Sequence, residues 1–199
     1  MAHCGETAAG EFLHTLCAVD IETRWTEPVA LPNKGQQATF EGIRALRQRL
    51  PFPLLGIDSD GGSEFINHHL VRYCRQEHIT FTRFRPFKKN DQAHVEQKNW
   101  TVVRQVIGYA RYESSEALQL LSNIYQDLRL FVNFFQPVKK LTHKARVGSK
   151  LKKTYDTAQT PYQRFLASQE IDQADKHRLT AQLKHRVDKQ LTELWRILR

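Results

Sequence analysis

The chain has 199 residues, of which 40% are hydrophobic and 10% aromatic, with a formal net charge of +9 and a sequence pI near 9.6. That composition belongs to a folded soluble protein with one well-buried core and an appendage. No run approaches about eighteen apolar residues, and the start lacks a charged region followed by an apolar one. Neither a membrane span nor a signal peptide is indicated, and a cytoplasmic protein is expected. Cys4, Cys17 and Cys74 are scattered and lack C-x-x-C spacing, so no disulfide framework or zinc ribbon is supported. The surplus of Lys and Arg points to a polyanionic partner, because cationic side chains release the counterions that phosphates hold.

In chain order, residues 11–31 read as a hairpin. A mostly apolar run ends at Asp20, Ile21-Glu22-Thr23-Arg24 turns, and a second strand returns from Trp25. Ala38, Ile43, Leu46 and Leu50 recur at helical spacing until Pro51 and Pro53 stop the helix. Residues 54–58 form a short buried strand. Gly61-Gly62 turns the chain, and Ser63 caps a helix carrying Phe65, Ile66, Leu70, Tyr73 and Cys74. Residues 79–84 alternate as a strand. A long helix then runs from Asp91 through Glu96, Val103 and Ile107 toward Tyr112, and a second, apolar on most of its surface, covers residues 114–135. This order predicts a mixed α/β layer architecture.

Beyond Gln136-Pro137, the cations Lys139, Lys140, Lys144, Arg146, Lys150, Lys152 and Lys153 fall within fifteen residues with no acidic residue among them. The segment reads as an extended linker, either a solvated charge run or a phosphate contact, the latter assigned to Lys139, Lys140, Lys144 and Arg146. From Gln173, the residues Leu179, Leu183, Val187, Leu191, Leu194 and Leu198 form a stripe at helical steps. It serves either to pack on the domain or to self-associate.

The chemistry concentrates between residues 54 and 100. Asp60 ends an apolar run, Glu96 lies in the first turns of a helix, and thirty-five residues separate them. Two carboxylates brought together by a strand end and a helix start suit a hard cation such as Mg²⁺, and so suit phosphoryl transfer. The helix dipole also favours ionised Glu96. A calcium loop is excluded, because Gly62, Ser63 and His69 stand where an EF-hand needs a ligand, a glycine and its bidentate Glu. His68 and His69 point about 100° apart on a helix and do not chelate together. Strand alternation turns Ser59 away from Asp58 and Asp60.

Ser59-Asp60-Gly61-Gly62-Ser63-Glu64-Phe65, with Glu96 in Gln92-Ala93-His94-Val95-Glu96, resembles the core of DDE transposases and retroviral-type integrases. Asn133-Phe134-Phe135-Gln136-Pro137 and Tyr155-Asp156-x-Ala158-x-Thr160-Pro161-Tyr162-x-Arg164 are similar to the C-terminal part of insertion-sequence transposases. The resemblance implies a ribonuclease H-like mixed sheet flanked by helices, Mg²⁺ or Mn²⁺ as cofactor with no small-molecule cofactor, and DNA strand cleavage and joining by a homo-oligomer. It makes Asp60 and Glu96 the second and third acidic ligands. Lys88, Lys89 and Gln92 then lie in the loop that meets DNA ends, and Asn99 is assigned to DNA contact as well.

The family's first acidic ligand precedes the stretch that Met1-Ala2-His3-Cys4 resembles, so the expectation is a core over residues 1–136 with a truncated first strand and impaired catalysis. Residues 137–199 form the basic linker and a C-terminal amphipathic helix. Asp20 is the one substitute ligand that the sequence offers, although only thirty-nine residues separate it from Asp60. The rival expectation is a non-enzymatic, DNA-binding and dimerising remnant that modulates a full-length transposase.

Overall fold

The structure, a computed structural model, describes residues 1–59, 62, 64, 65, 68–83 and 98–197, the side chains of 147 and 186–197 excepted. The hairpin expected at residues 11–31 is formed by β1 (His14–Val19) and β2 (Thr26–Leu31), antiparallel, with His14 opposite Leu31 and Val19 opposite Thr26. Its turn is built by Asp20, whose Oδ2 accepts from the Thr23 amide at 2.6 Å and the Thr23 hydroxyl at 2.7 Å. Arg24 supplies the left-handed step at φ 68. Residues 1–4 lie along the other side of β1: the His3 amide donates to Leu13 and the Thr15 amide to Met1. Cys4 in turn bridges to Arg111.

Helix α1 (Gln36–Arg49) packs on β2, and its buried face is Thr39, Gly42, Ile43 and Leu46. The approach at Gly42 is so close that a Cβ there would sit 2.6 Å from the Leu31 Cδ2, which excludes any larger residue without a shift. Leu46 joins Val29 and Leu31 beneath it. Next come β3 (Gly56–Ser59), α2 (His68–Gln76) and β4 (Thr80–Arg83), a crossover that makes β3 and β4 parallel, as a helical connection between strands favours. The strand expected at 54–58 therefore starts later, and it is only partly buried, with Leu55 77% exposed. Ile43, Leu70, Cys74 and Ile79 close the core on this side.

The next helix enters the described residues at Lys98 and winds as a π-helix over Asn99–Arg104 before an α-turn, Gln105–Ile107; together these are α3. It stops at Gly108, whose φ of 76 breaks the helix, rather than running on toward Tyr112. Tyr112 is instead a pairing residue: its amide donates to His3 and its carbonyl accepts from Leu13. Helix α4 (Ser115–Phe135) begins where Ser114 accepts from the Ala117 amide as an N-cap, within the span expected for this helix. Leu121, Tyr125, Leu128 and Val132 of α4 meet Leu13 and Val102, Val103 and Ile107 of α3 in the largest apolar cluster. Polar contacts also hold α4 to β2 of the hairpin. Asn133 pairs with both backbone groups of Thr26, and Arg129 grips the buried Glu27 carboxylate with two hydrogen bonds of 2.6 Å each.

The basic segment read as a linker is extended, but its two halves are paired. Strands β5 (Leu141–Val147) and β6 (Lys150–Tyr155) form an exposed antiparallel hairpin. Its two-residue loop places Gly148 first, at φ 64, where a tight hairpin turn of this hand needs glycine. Helix α5 (Pro161–Ala167) opens with a capping box between Thr160 and Gln163 and with proline in its first turn. Helix α6 (Gln173–Ile197) comes last. Phe165 and Leu179 share one cluster with Trp25 and Phe134, with Leu183 packed against it. The first two positions of the C-terminal stripe thus face the body; Val187, Leu191 and Leu194 are without described side chains and Leu198 is outside the described residues. No helix among the described residues is long and apolar enough to cross a membrane.

Candidate functional site

Parallel strands present their carboxyl ends together, and the crevice beyond those ends is where open α/β sheets take ligands. Here β3 and β4 end side by side, with Ser59 opposite Arg83, and Asp60 is the next residue in the chain. Ser59 is buried and Asp58 exposed, as alternation requires. The Asp58 carboxylate accepts from the Thr82 hydroxyl at 2.7 Å across the pair. Asp60, Glu96, Lys88, Lys89 and Gln92 themselves lie outside the described residues.

Lys98 and Asn99 follow Glu96 closely in the chain. Lys98 is buried, and loss of hydration holds its ammonium below the ordinary lysine range, with Cys17 pulling up and Arg24 pushing down. Asn99 is next, half-buried, and its Oδ1 meets no donor among the described residues. The Cys17 thiol is pushed up to about 12 by burial, and Cys74 is raised for the same reason; both are inert structural thiols. All three cysteines are free.

One buried relay has no counterpart in the sequence pattern. His3 Nε2 lies 2.7 Å from the Thr15 hydroxyl, which lies 2.6 Å from the Tyr125 hydroxyl, and all three residues are buried. Burial, then the charge of Arg104, lowers the His3 pKa to about 4, so its imidazole is neutral at pH 7. A histidine in a four-residue opening stretch carries no periodicity that announces this, since its partners lie 12 and, through Thr15, a further 110 residues away.

Asp20 belongs to its turn. Its carboxylate accepts from the amide and the hydroxyl of Thr23, and it sits at the far end of β1 from His14. Among the described residues, no group of three or more His, Cys, Asp or Glu side chains is placed to hold a metal ion.

The cationic positions divide. Lys140 is committed to the body: its Nζ donates to the Glu22 carbonyl at 2.7 Å and approaches the Glu22 carboxylate at 3.3 Å. Lys139, Lys144 and Arg146 are exposed, as are Lys150, Lys152 and Lys153.

No family model matches the chain. The uncharacterized protein y4rM of Sinorhizobium fredii (strain NBRC 101917 / NGR234) is 39% identical over 164 residues, a match that takes in 82% of this chain and 47% of that protein. The chain thus spans about half the length of the curated relative it matches. Among solved structures, the catalytic core domain of BIV integrase superposes with a TM-score of 0.52 at 18% identity, over 78% of this chain and 91% of that one. At that identity the likeness is one of architecture: the chain has the ribonuclease H-like α/β fold of an integrase catalytic core.

Proposed function

We propose that this chain serves DNA integration or transposition by metal-dependent strand transfer, working as a homo-oligomer on DNA. The observation that carries the reading is a coincidence of two independent signals. A chain with an integrase-core fold also carries two carboxylates, Asp60 and Glu96, at the spacing and in the motifs of DDE enzymes.

Asp60, directly after β3, and Glu96, ahead of α3, are the residues that would hold Mg²⁺ or Mn²⁺. A divalent cation bound there supplies charge to the attacking and leaving oxygens of an in-line displacement. The chemistry of the donors fits: carboxylates are the preferred ligands of hard cations, and the glycines that follow Asp60 carry no side chain to keep a phosphate away. Lys88, Lys89, Gln92 and Asn99 then contact the DNA nearest the reacting phosphate. Lys139, Lys144 and Arg146 contact phosphates farther away, and Lys140 supports them from the base of the hairpin. In domain terms, residues 1–136 are the core and residues 137–199 its basic extension.

The test is joining of a labelled pre-cleaved duplex to a plasmid target in Mn²⁺. Joined product is expected, abolished by Asp60→Asn, by Glu96→Gln and by chelation, with DNA binding retained. Identical behaviour of the wild type and both variants would defeat the reading. Binding without any joining by the wild type would favour the non-enzymatic, dimerising alternative.

A further inference from the structure

We propose that the hairpin β5–β6 is a rigid basic ribbon that holds duplex DNA by its phosphates without regard to sequence, as a target rather than a defined end is held. This deepens, and rests on, the reading that the chain acts on DNA.

The first observation is charge. Lys144, Arg146, Lys150, Lys152 and Lys153 all lie on the ribbon, all are exposed, and no acidic residue falls between Lys139 and Lys153. None of the five side chains makes a hydrogen bond or ion pair among the described residues, whereas other surface cations do, such as Arg47 with Glu77 and Arg111 with Glu113. The register sharpens the point. Lys144 and Lys153 are direct cross-strand partners, and like charges so placed destabilise a hairpin unless an anion lies across them. Arg146, opposite Leu151, is on the same face, while Lys150 and Lys152 are on the other.

The second observation is rigidity. A two-stranded hairpin alone is marginal in water. This one is clamped at its base: Arg164 grips both oxygens of Asp156 at 2.7 and 3.1 Å and also donates to the Val138 carbonyl at 2.9 Å. Asp156 receives the Lys140 amide at 2.6 Å, and Val138 bridges to Gln159. A cationic element held in one orientation loses little freedom on binding, which is what a binding element requires and a solvated charge run does not.

The third is shape and chemistry. A two-stranded ribbon is one of the elements that a duplex groove admits. Four of the five cations are lysines, which act on phosphates as point charges rather than as planar forks.

The experiment measures binding of two unrelated blunt duplexes by fluorescence anisotropy between about 50 and 200 mM salt, in EDTA so that no joining occurs. The variant carries Lys144→Gln, Arg146→Gln, Lys150→Gln, Lys152→Gln and Lys153→Gln. Each phosphate contact contributes about 0.9 to the slope of log K against log salt, so the variant should be shallower by up to about 4.5, equally on both duplexes. Circular dichroism should match the wild type and the thermal midpoint should match or exceed it, because no described side-chain contact is lost and the Lys144–Lys153 repulsion is relieved. If the fivefold variant misfolds, the pair Lys144→Gln and Lys153→Gln is read instead, with about 1.8 expected. A change below about half of either expectation, a loss confined to one duplex, or wild-type binding to single-stranded RNA as tight as to duplex DNA overturns the proposal. Since the measurement excludes metal, its failure would leave strand joining by Asp60 and Glu96 standing, and loss of joining would leave the ribbon standing.

Discussion

Asn133 ties α4 to the hairpin, and removing it should be among the most damaging single substitutions in the protein. Its Oδ1 accepts from the Thr26 amide at 2.8 Å and its Nδ2 donates to the Thr26 carbonyl at 2.9 Å. Both residues are completely buried. In Asn133→Ala, a backbone donor and a backbone acceptor lose their partners where water does not replace them. Each orphaned group costs about 1–3 kcal/mol, so the pair costs about 2–6 kcal/mol, a large share of the roughly 5–15 kcal/mol that stabilises a domain. Asn133→Asp should be no milder: it retains the acceptor for the amide but turns a second carboxylate oxygen toward the Thr26 carbonyl. Urea unfolding followed by circular dichroism measures the loss, which is read from the midpoint only if the slope is unchanged. A loss below about 1 kcal/mol at constant slope would refute the reasoning, since it would mean that the Thr26 groups find other partners at little cost.

Two more outcomes concern the hairpin and the residues beside it. His3 is held at a pKa of about 4 against an ordinary 6.5, so between those values the unfolded chain binds a proton that the folded chain does not. Stability should therefore rise as pH climbs from about 4 to 6.5, by roughly 3 kcal/mol at about 1.36 kcal/mol for each pH unit between the two values, and His3→Gln should flatten that part of the stability profile. Asp20→Ala should lower stability by about 1–2 kcal/mol, because two hydrogen bonds of the β1–β2 turn are lost, while leaving any Mn²⁺-dependent strand joining in place. Loss of joining in a variant that remains folded would return Asp20 to the metal site.

The fold is legible in the sequence where a residue type has one local meaning. Ser114 ahead of an apolar stripe marks the start of α4, and Pro51 with Pro53 marks the end of α1, because caps and proline act through the backbone at their own position. Asp60 and Glu96 are legible as a candidate pair from spacing, an attribute that survives without knowing the fold. The ribbon is hidden because lysines at both alternating positions erase the polar and apolar period by which strands are recognised; only Gly148 signals its turn. Asp20 illustrates the opposite ambiguity. A carboxylate at a strand end serves a metal or a turn equally well in sequence, and Thr23, three residues on, is the clue to the turn. The His3–Thr15–Tyr125 relay and the Asn133–Thr26 pair are not legible at all, since each joins residues that only the finished packing makes neighbours.

The π-helical stretch of α3 also bears on insertions and deletions. Val102 and Val103 are both buried, yet Val106, one α-turn beyond Val102, is 51% exposed while Ile107 takes the inward place. Widening the turn accommodates one residue more than an α-helix would over the same arc. Deleting a single residue within that stretch would tighten it to an α-turn and keep its two ends in step, whereas a deletion in the α-helical turn that follows would swing them apart by about 100°. The helix that Glu96 precedes is therefore tuned by its length in residues as well as by their identity, and an alignment of relatives that ignores a one-residue gap there would compare the wrong faces.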